Sequence, residues 1–128
     1  MKQILQNLKS GETIVEDVPA PMARRGALRI ATTTTLVSAG TERMLVEFAR
    51  GSLISKARQQ PEKVRQTLEK VRTDGLLATI EAVTSKLDEP MPLGYCNVGR
   101  VLDTGGLPGF AVGDRVVSDG KHAEVGVG

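Results

Sequence analysis

The single cysteine of the chain, Cys96, stands beside its single tyrosine, Tyr95, in the glycine-punctuated run MPLGYCNVGRV at residues 91–101. A cysteine there could ligate a metal, act as a nucleophile or fill a small apolar space. One Cys and one His, His122, make no cluster of the kind that holds zinc. A thiol nucleophile needs a neighbouring base or cation to form the thiolate, and the surrounding residues give no sign of one. Cys96 therefore reads as a small buried residue on a strand. His122 reads as a structural side chain on a terminal strand. Thr41, after the run SAG and before ERMLVEFA, has the place of a helix N-cap, with Glu42 in the first turn. Gly94, Gly99, Gly113 and Gly120 read as backbone devices for turns and close approaches.

The elements that must position these residues follow from periodicity. Residues 2–7 and 12–18 read as two strands around the turn KSG, a hairpin ended by the proline-containing VPAP. Residues 27–37, ALRIATTTTLV, are rich in β-branched side chains and predict a long strand. From Thr41 to Leu87 the period changes to that of a helix. Val64, Leu68 and Val71 form one face, and Leu76, Leu77, Ile80, Val83 and Leu87 form another after a break at TDG. Pro61 sits where a first helical turn accepts it. The pattern predicts a helical hairpin preceded by shorter helices over 41–51 and 52–59. Strand signals return at 94–103, 114–119 and 121–127, around the loop TGGLPGFAVG. The order strands, helices, strands predicts an α+β, mainly β chain: a small barrel or sandwich with a helical insertion. The glycines of TGGLPG lack the spacing of a dinucleotide fingerprint and the helix that must follow it, and there is no P-loop.

Three blocks, VEDVPAP, VSAGTERM and PLGYCNVGRVLDTGGLPGFAVGDRVVSDGKHAEV, resemble the N-terminal GroES-like catalytic domain of the medium-chain alcohol dehydrogenase/reductase superfamily. Within it they are most similar to the zinc-lacking dehydrogenase half of bacterial bi-domain oxidoreductases and to bacteriochlorophyllide dehydrogenase-type members. The resemblance implies a GroES-like, partly open β-barrel over residues 1–128, incomplete at its C-terminus, with a helical insertion over 42–88. Zinc-dependent members carry Cys-Gly-Thr-Asp where this chain has Ala39, Gly40, Thr41 and Glu42, and Gly-His-Glu where it has Gly94, Tyr95 and Cys96. Both zinc ligands are thus replaced, and the cysteine-rich loop of a structural zinc is missing after the Gly-Asp-Arg-Val turn. The expectation is a zinc-free, NAD(P)-dependent oxidoreductase. Thr41 and Tyr95 would polarise a substrate carbonyl, with Gly40, Glu42, Cys96 and Asn97 as substrate contacts. The nicotinamide would be held mainly by a Rossmann domain of the same longer chain, leaving this fragment inactive alone.

Residues 43–72 hold eight Lys/Arg against three Glu, a net +5. They fit a solvated helical face or a surface for an anionic small molecule such as a sugar nucleotide; the near absence of aromatic residues argues against nucleic acid. Between Glu42 and Gly94 lie 51 residues, far more than simpler relatives use there, and the insertion is expected to serve as a lid, a substrate-selecting wall or an oligomer contact. The rival expectation is a non-catalytic GroES-like module that binds a partner through this insertion. No apolar run is long enough to cross a membrane, and the charged N-terminus is unlike a signal peptide, so a cytoplasmic location is expected.

Overall fold

The computed structural model describes the backbone of residues 1–128 and every side chain but that of Leu53. The chain divides into two compact units. The first comprises Met1–Leu5, Ile14–Glu42 and Pro92–Gly128; the second comprises Gln6–Thr13 and Arg43–Met91.

Strands β1 (Lys2–Gln6) and β2 (Thr13–Asp17) form the expected hairpin. The Asn7 N–H donates to the Glu12 carbonyl near the turn, and Met1 and Val18 exchange backbone hydrogen bonds at the open end. β4 (Met91–Pro92) adds to β1, giving the order β2-β1-β4. A four-stranded antiparallel sheet has the order β6-β5-β3-β7, from β3 (Arg29–Thr35), β5 (Asn97–Asp103), β6 (Arg115–Ser118) and β7 (Val125–Val127). β-Branched side chains suit the pleated surface of β3, and Ile30 on it is fully buried against Leu28 and Val101. Leu107 and Val116 pack on this cluster. Each such burial contributes about 1.5–3 kcal/mol. β3 and β5 slip register between Thr32 and Thr34, and the hydroxyl of the bulged Thr33 donates to the Val98 carbonyl.

The fold is mixed α/β, and no closed barrel forms among the described residues, because β6 and β7 stand at the two edges of the larger sheet. Two strand expectations need correction. The strand expected over 94–103 begins only at Asn97, because Gly94 takes a φ of 92°, outside the extended region, and bends the chain. The strand expected over 121–127 is continuous only from Val125. His122 and Glu124 instead bond sideways to β1: the Ile4 N–H donates to the His122 carbonyl, and the Glu124 N–H to the Lys2 carbonyl.

Four helices follow β3: α1 (Thr41–Arg50), α2 (Leu53–Gln59), α3 (Pro61–Asp74) and α4 (Leu76–Asp88). Pro61 opens α3 at its first position, and Gly75, with φ 90°, separates α3 from α4. Within the second unit, the buried Lys56 of α2 donates to the Leu8 carbonyl and lies 6.0 Å from the centre of the Phe48 ring. Asp88 at the end of α4 accepts from Lys9 Nζ at 2.7 Å and Asn7 Nδ2 at 3.1 Å. Met44 is exposed on α1.

Candidate functional site

Every candidate residue lies in the first unit. The start of α1 brings Gly40, Thr41 and Glu42 to it. Ser38, not Thr41, caps this helix: its Oγ accepts from the Thr41 N–H at 3.2 Å, and its carbonyl accepts from the Glu42 N–H. Glu42 returns the bond, its Oε1 accepting from the Ser38 N–H at 3.2 Å. This is a reciprocal capping arrangement with the carboxylate at the positive end of the helix. Thr41 is the first helical residue, because Ser38, three positions earlier, supplies the capping oxygen. The Thr41 hydroxyl is exposed and has no hydrogen-bond partner among the described residues.

The second Glu42 oxygen carries the main contact of the site. Oε2 lies 2.9 Å from Nε2 of His122, and the two residues are only 7% and 5% exposed. A carboxylate can only accept, so this bond needs the imidazole proton on Nε2. The other ring nitrogen, Nδ1, is buried without a partner among the described residues. The His122 backbone is fixed on both sides, its N–H donating to the Leu93 carbonyl and its carbonyl accepting from Ile4. Gly94 lies directly against the ring. A Cβ at Gly94 would stand 2.6 Å from the His122 nitrogen and 2.8 Å from its Cγ. The bend before β5 is therefore shaped around the imidazole.

That bend carries Tyr95 and Cys96. Tyr95 is 40% exposed, with no hydrogen-bond partner for its hydroxyl among the described residues. Cys96 is a half-buried free thiol in the bend itself, where its carbonyl accepts from the Leu36 N–H. Asn97, the first residue of β5, is buried and fully engaged. Its Nδ2 donates to the Thr32 hydroxyl at 3.1 Å, and its Oδ1 accepts from the Ser118 hydroxyl at 2.6 Å. Gly120 packs so closely that a Cβ would lie 2.4 Å from Asn97 Nδ2. Asn97 ties β3, β5 and the end of β6 together behind the bend. Gly40 is exposed and sterically free, its nearest would-be neighbour being Ser38 Oγ at 3.9 Å.

An open cleft of about 260 Å³ borders the site, lined among others by Lys2, Thr32, Thr33, Thr34, His122 and Glu124. Of Gly40, Thr41, Glu42, Tyr95, Cys96, Asn97 and His122, only His122 lines it. Its walls mix threonine hydroxyls, one ammonium and one carboxylate with a larger share of apolar surface. Among the described residues no three His, Cys, Asp or Glu side chains converge as a metal site would require. The glycine-rich loop before β6 leads into a strand, so these residues do not fit a dinucleotide pyrophosphate, which sits at the start of a helix.

The spacing of residues missed two features, His122 as partner of Glu42 and Ser38 as the cap. The capping pattern of Ser and Glu around SAGT was the available signal for the second. Nothing local signals a contact across 80 positions. No known protein family, curated protein or solved structure matches this chain.

Proposed function

We propose that this chain is the catalytic and substrate-binding part of a zinc-independent, NAD(P)-dependent oxidoreductase of the GroES-like, medium-chain dehydrogenase type, acting on a polar carbonyl or alcohol of the sugar or sugar-nucleotide class. One observation carries the reading. The two segments in which the resemblance seats chemistry, Gly40–Glu42 and Gly94–Asn97, meet on one imidazole, with Glu42 bonded to His122 and Gly94 packed on its ring. The nicotinamide, bound mainly by a Rossmann domain of a longer chain, would supply the hydride.

The roles assigned to this chain are those of positioning and polarisation. Thr41 and Tyr95 carry the hydroxyls free to donate to a substrate oxygen, and preorganised donors of this kind stabilise charge as it develops. Glu42 and His122 hold the helix start and the bend at fixed positions, so the two hydroxyls keep their geometry. Gly40 gives close access to the backbone, and Cys96 flanks the site on the bend. Asn97 acts from behind by fixing β5.

The test is nicotinamide-dependent turnover by the full-length gene product on a panel of aldehydes, ketones and sugar nucleotides. Thr41→Val and Tyr95→Phe should each lower kcat about 100-fold or more while leaving the nicotinamide KM unchanged. Turnover that survives both changes sinks the assignment. The exposed apolar face of α4 supports a second reading, in which the helical insertion serves association.

A further inference from the structure

The ring of His122, the only histidine of the chain, has room for one proton and no place for a second. Nε2 is committed to Glu42 at 2.9 Å, while Nδ1 is buried without a partner among the described residues. A Cβ at Gly94 would stand 2.9 Å from Nδ1, so the hydrogen that the glycine carries in that direction points at the nitrogen. An N–H at Nδ1 would meet that hydrogen and find no acceptor. Buried donors are seldom left in that state.

Two effects oppose each other when the ring takes a second proton. The Glu42 carboxylate attracts the new charge. That carboxylate is already compensated, because it accepts from the Ser38 N–H at 3.2 Å and lies in the first turn of α1, at the positive end of the helix. The new donor, by contrast, is unsatisfied where water does not reach, and only movement of the bend relieves it. The other neighbours do not change this balance. On β1, Lys2 is paired with Asp17; on the histidine's own segment, Lys121 is exposed and Glu124 accepts from the Lys2 backbone N–H. The bend carries Tyr95 and Cys96, and β3 lines the adjoining cleft with threonines alone. The closed form therefore binds fewer protons than an open one, so closure weakens as pH falls.

We propose that Glu42 and His122 form an acid-sensitive latch, closed over a neutral imidazole, and that a second proton on the ring releases the Gly94–Cys96 bend. Imidazoles change charge between about pH 8 and pH 5, which places the release in that interval. Opening parts the two segments that meet on the imidazole and so gates the candidate site. The inference concerns conformation alone. Its test reads no turnover, so it stands or falls apart from the proposed activity.

The chain carries one histidine, one cysteine, one tyrosine and no tryptophan, so each probe of the latch is single. In 15N-labelled protein at pH 8 the imidazole should be the neutral tautomer protonated at Nε2. The reaction of Cys96 with dithionitrobenzoate, taken at each pH relative to the same protein in urea, should then speed up by as much as about tenfold per pH unit as one proton is bound. Tyr95 emission should change over the same interval. His122→Gln keeps an N–H for Glu42 but cannot titrate, and should flatten both profiles. Should that variant fail to fold, the imidazole nitrogen resonances of the wild type decide the matter alone. A proton on Nδ1 while Cys96 stays protected overturns the proposal, as does a loss of protection that His122→Gln leaves unchanged.

Discussion

Nε2 of His122 lies 2.9 Å from Oε2 of Glu42, joining the first turn of α1 to the segment before β7 in a place nearly closed to water. The contact does two jobs, since the same carboxylate also accepts from the Ser38 N–H that starts the helix. Removing it leaves one buried donor on the imidazole and one on the backbone without partners. Glu42→Ala should therefore cost about 1–3 kcal/mol for each donor that water cannot reach. Glu42→Gln should cost less, because its amide oxygen can still accept from one of them. Chemical denaturation of the three proteins, with equal m-values, checks the order. Equal stability of wild type and Glu42→Ala would show that the pair is not closed in solution.

Gly94 offers a sharper test of the same neighbourhood. Its φ of 92° already disfavours a side chain, and a Cβ would meet the His122 backbone nitrogen at 2.6 Å, where little can give way. Gly94→Ala should lose about 2–4 kcal/mol, combining backbone strain with overpacking. Gly106 has a similar φ of 79° but nothing within 4 Å of its would-be Cβ, so Gly106→Ala should show the backbone cost alone, about 1–2 kcal/mol. The difference between the two variants isolates the contact with the histidine. It should shrink but persist in a His122→Ala background, because that substitution removes the ring contacts and keeps the backbone nitrogen.

What the sequence made legible divides along physical lines. Local periodicity predicted the helices, and Pro61 and Gly75 mark the start of α3 and the break after it, since these depend on neighbouring residues alone. Periodicity also predicted an apolar face on each helix but could not say what covers it, and Leu77 and Ile80 point to solvent. The Thr41 cap was misread because two hydroxyls three residues apart compete for one role, and Ser38 holds it. The strand at Asn97 begins late because a glycine bends to fit a histidine 28 positions further along the chain. Contacts at that range are decided by topology, which no local pattern encodes.

Asn97 should prove the stabilising centre of the larger sheet. Its buried amide links the half-buried Thr32 hydroxyl on β3 to the half-buried Ser118 hydroxyl on β6. Asn97→Ala breaks both bonds and opens a void, and should cost about 2–4 kcal/mol. Ser118→Ala removes one bond of the two and should cost about 1 kcal/mol. Hydrogen exchange reads the location of the damage: Asn97→Ala should speed exchange in β3 and β5 together. Loss of protection confined to β6 would contradict the linking role.

Acid should loosen the second unit at Asp88. Hydrogen bonds from Lys9 and Asn7 hold the Asp88 carboxyl below its ordinary value of 3.8, outweighing the slight opposite effect of desolvation. A group whose pKa is lower in the folded protein adds stability that is fully present above its unfolded value and disappears as pH falls through its folded value. The contribution of this surface cluster is small, and salt screens it further. Wild type should thus lose an increment of stability between about pH 5 and pH 2 that Asp88→Asn, already lacking the charge, does not lose. Denaturant midpoints of the two proteins, followed at low and high ionic strength, should converge as pH falls and converge earlier in high salt. Parallel pH profiles would mean that the Lys9–Asp88 contact does not persist in solution.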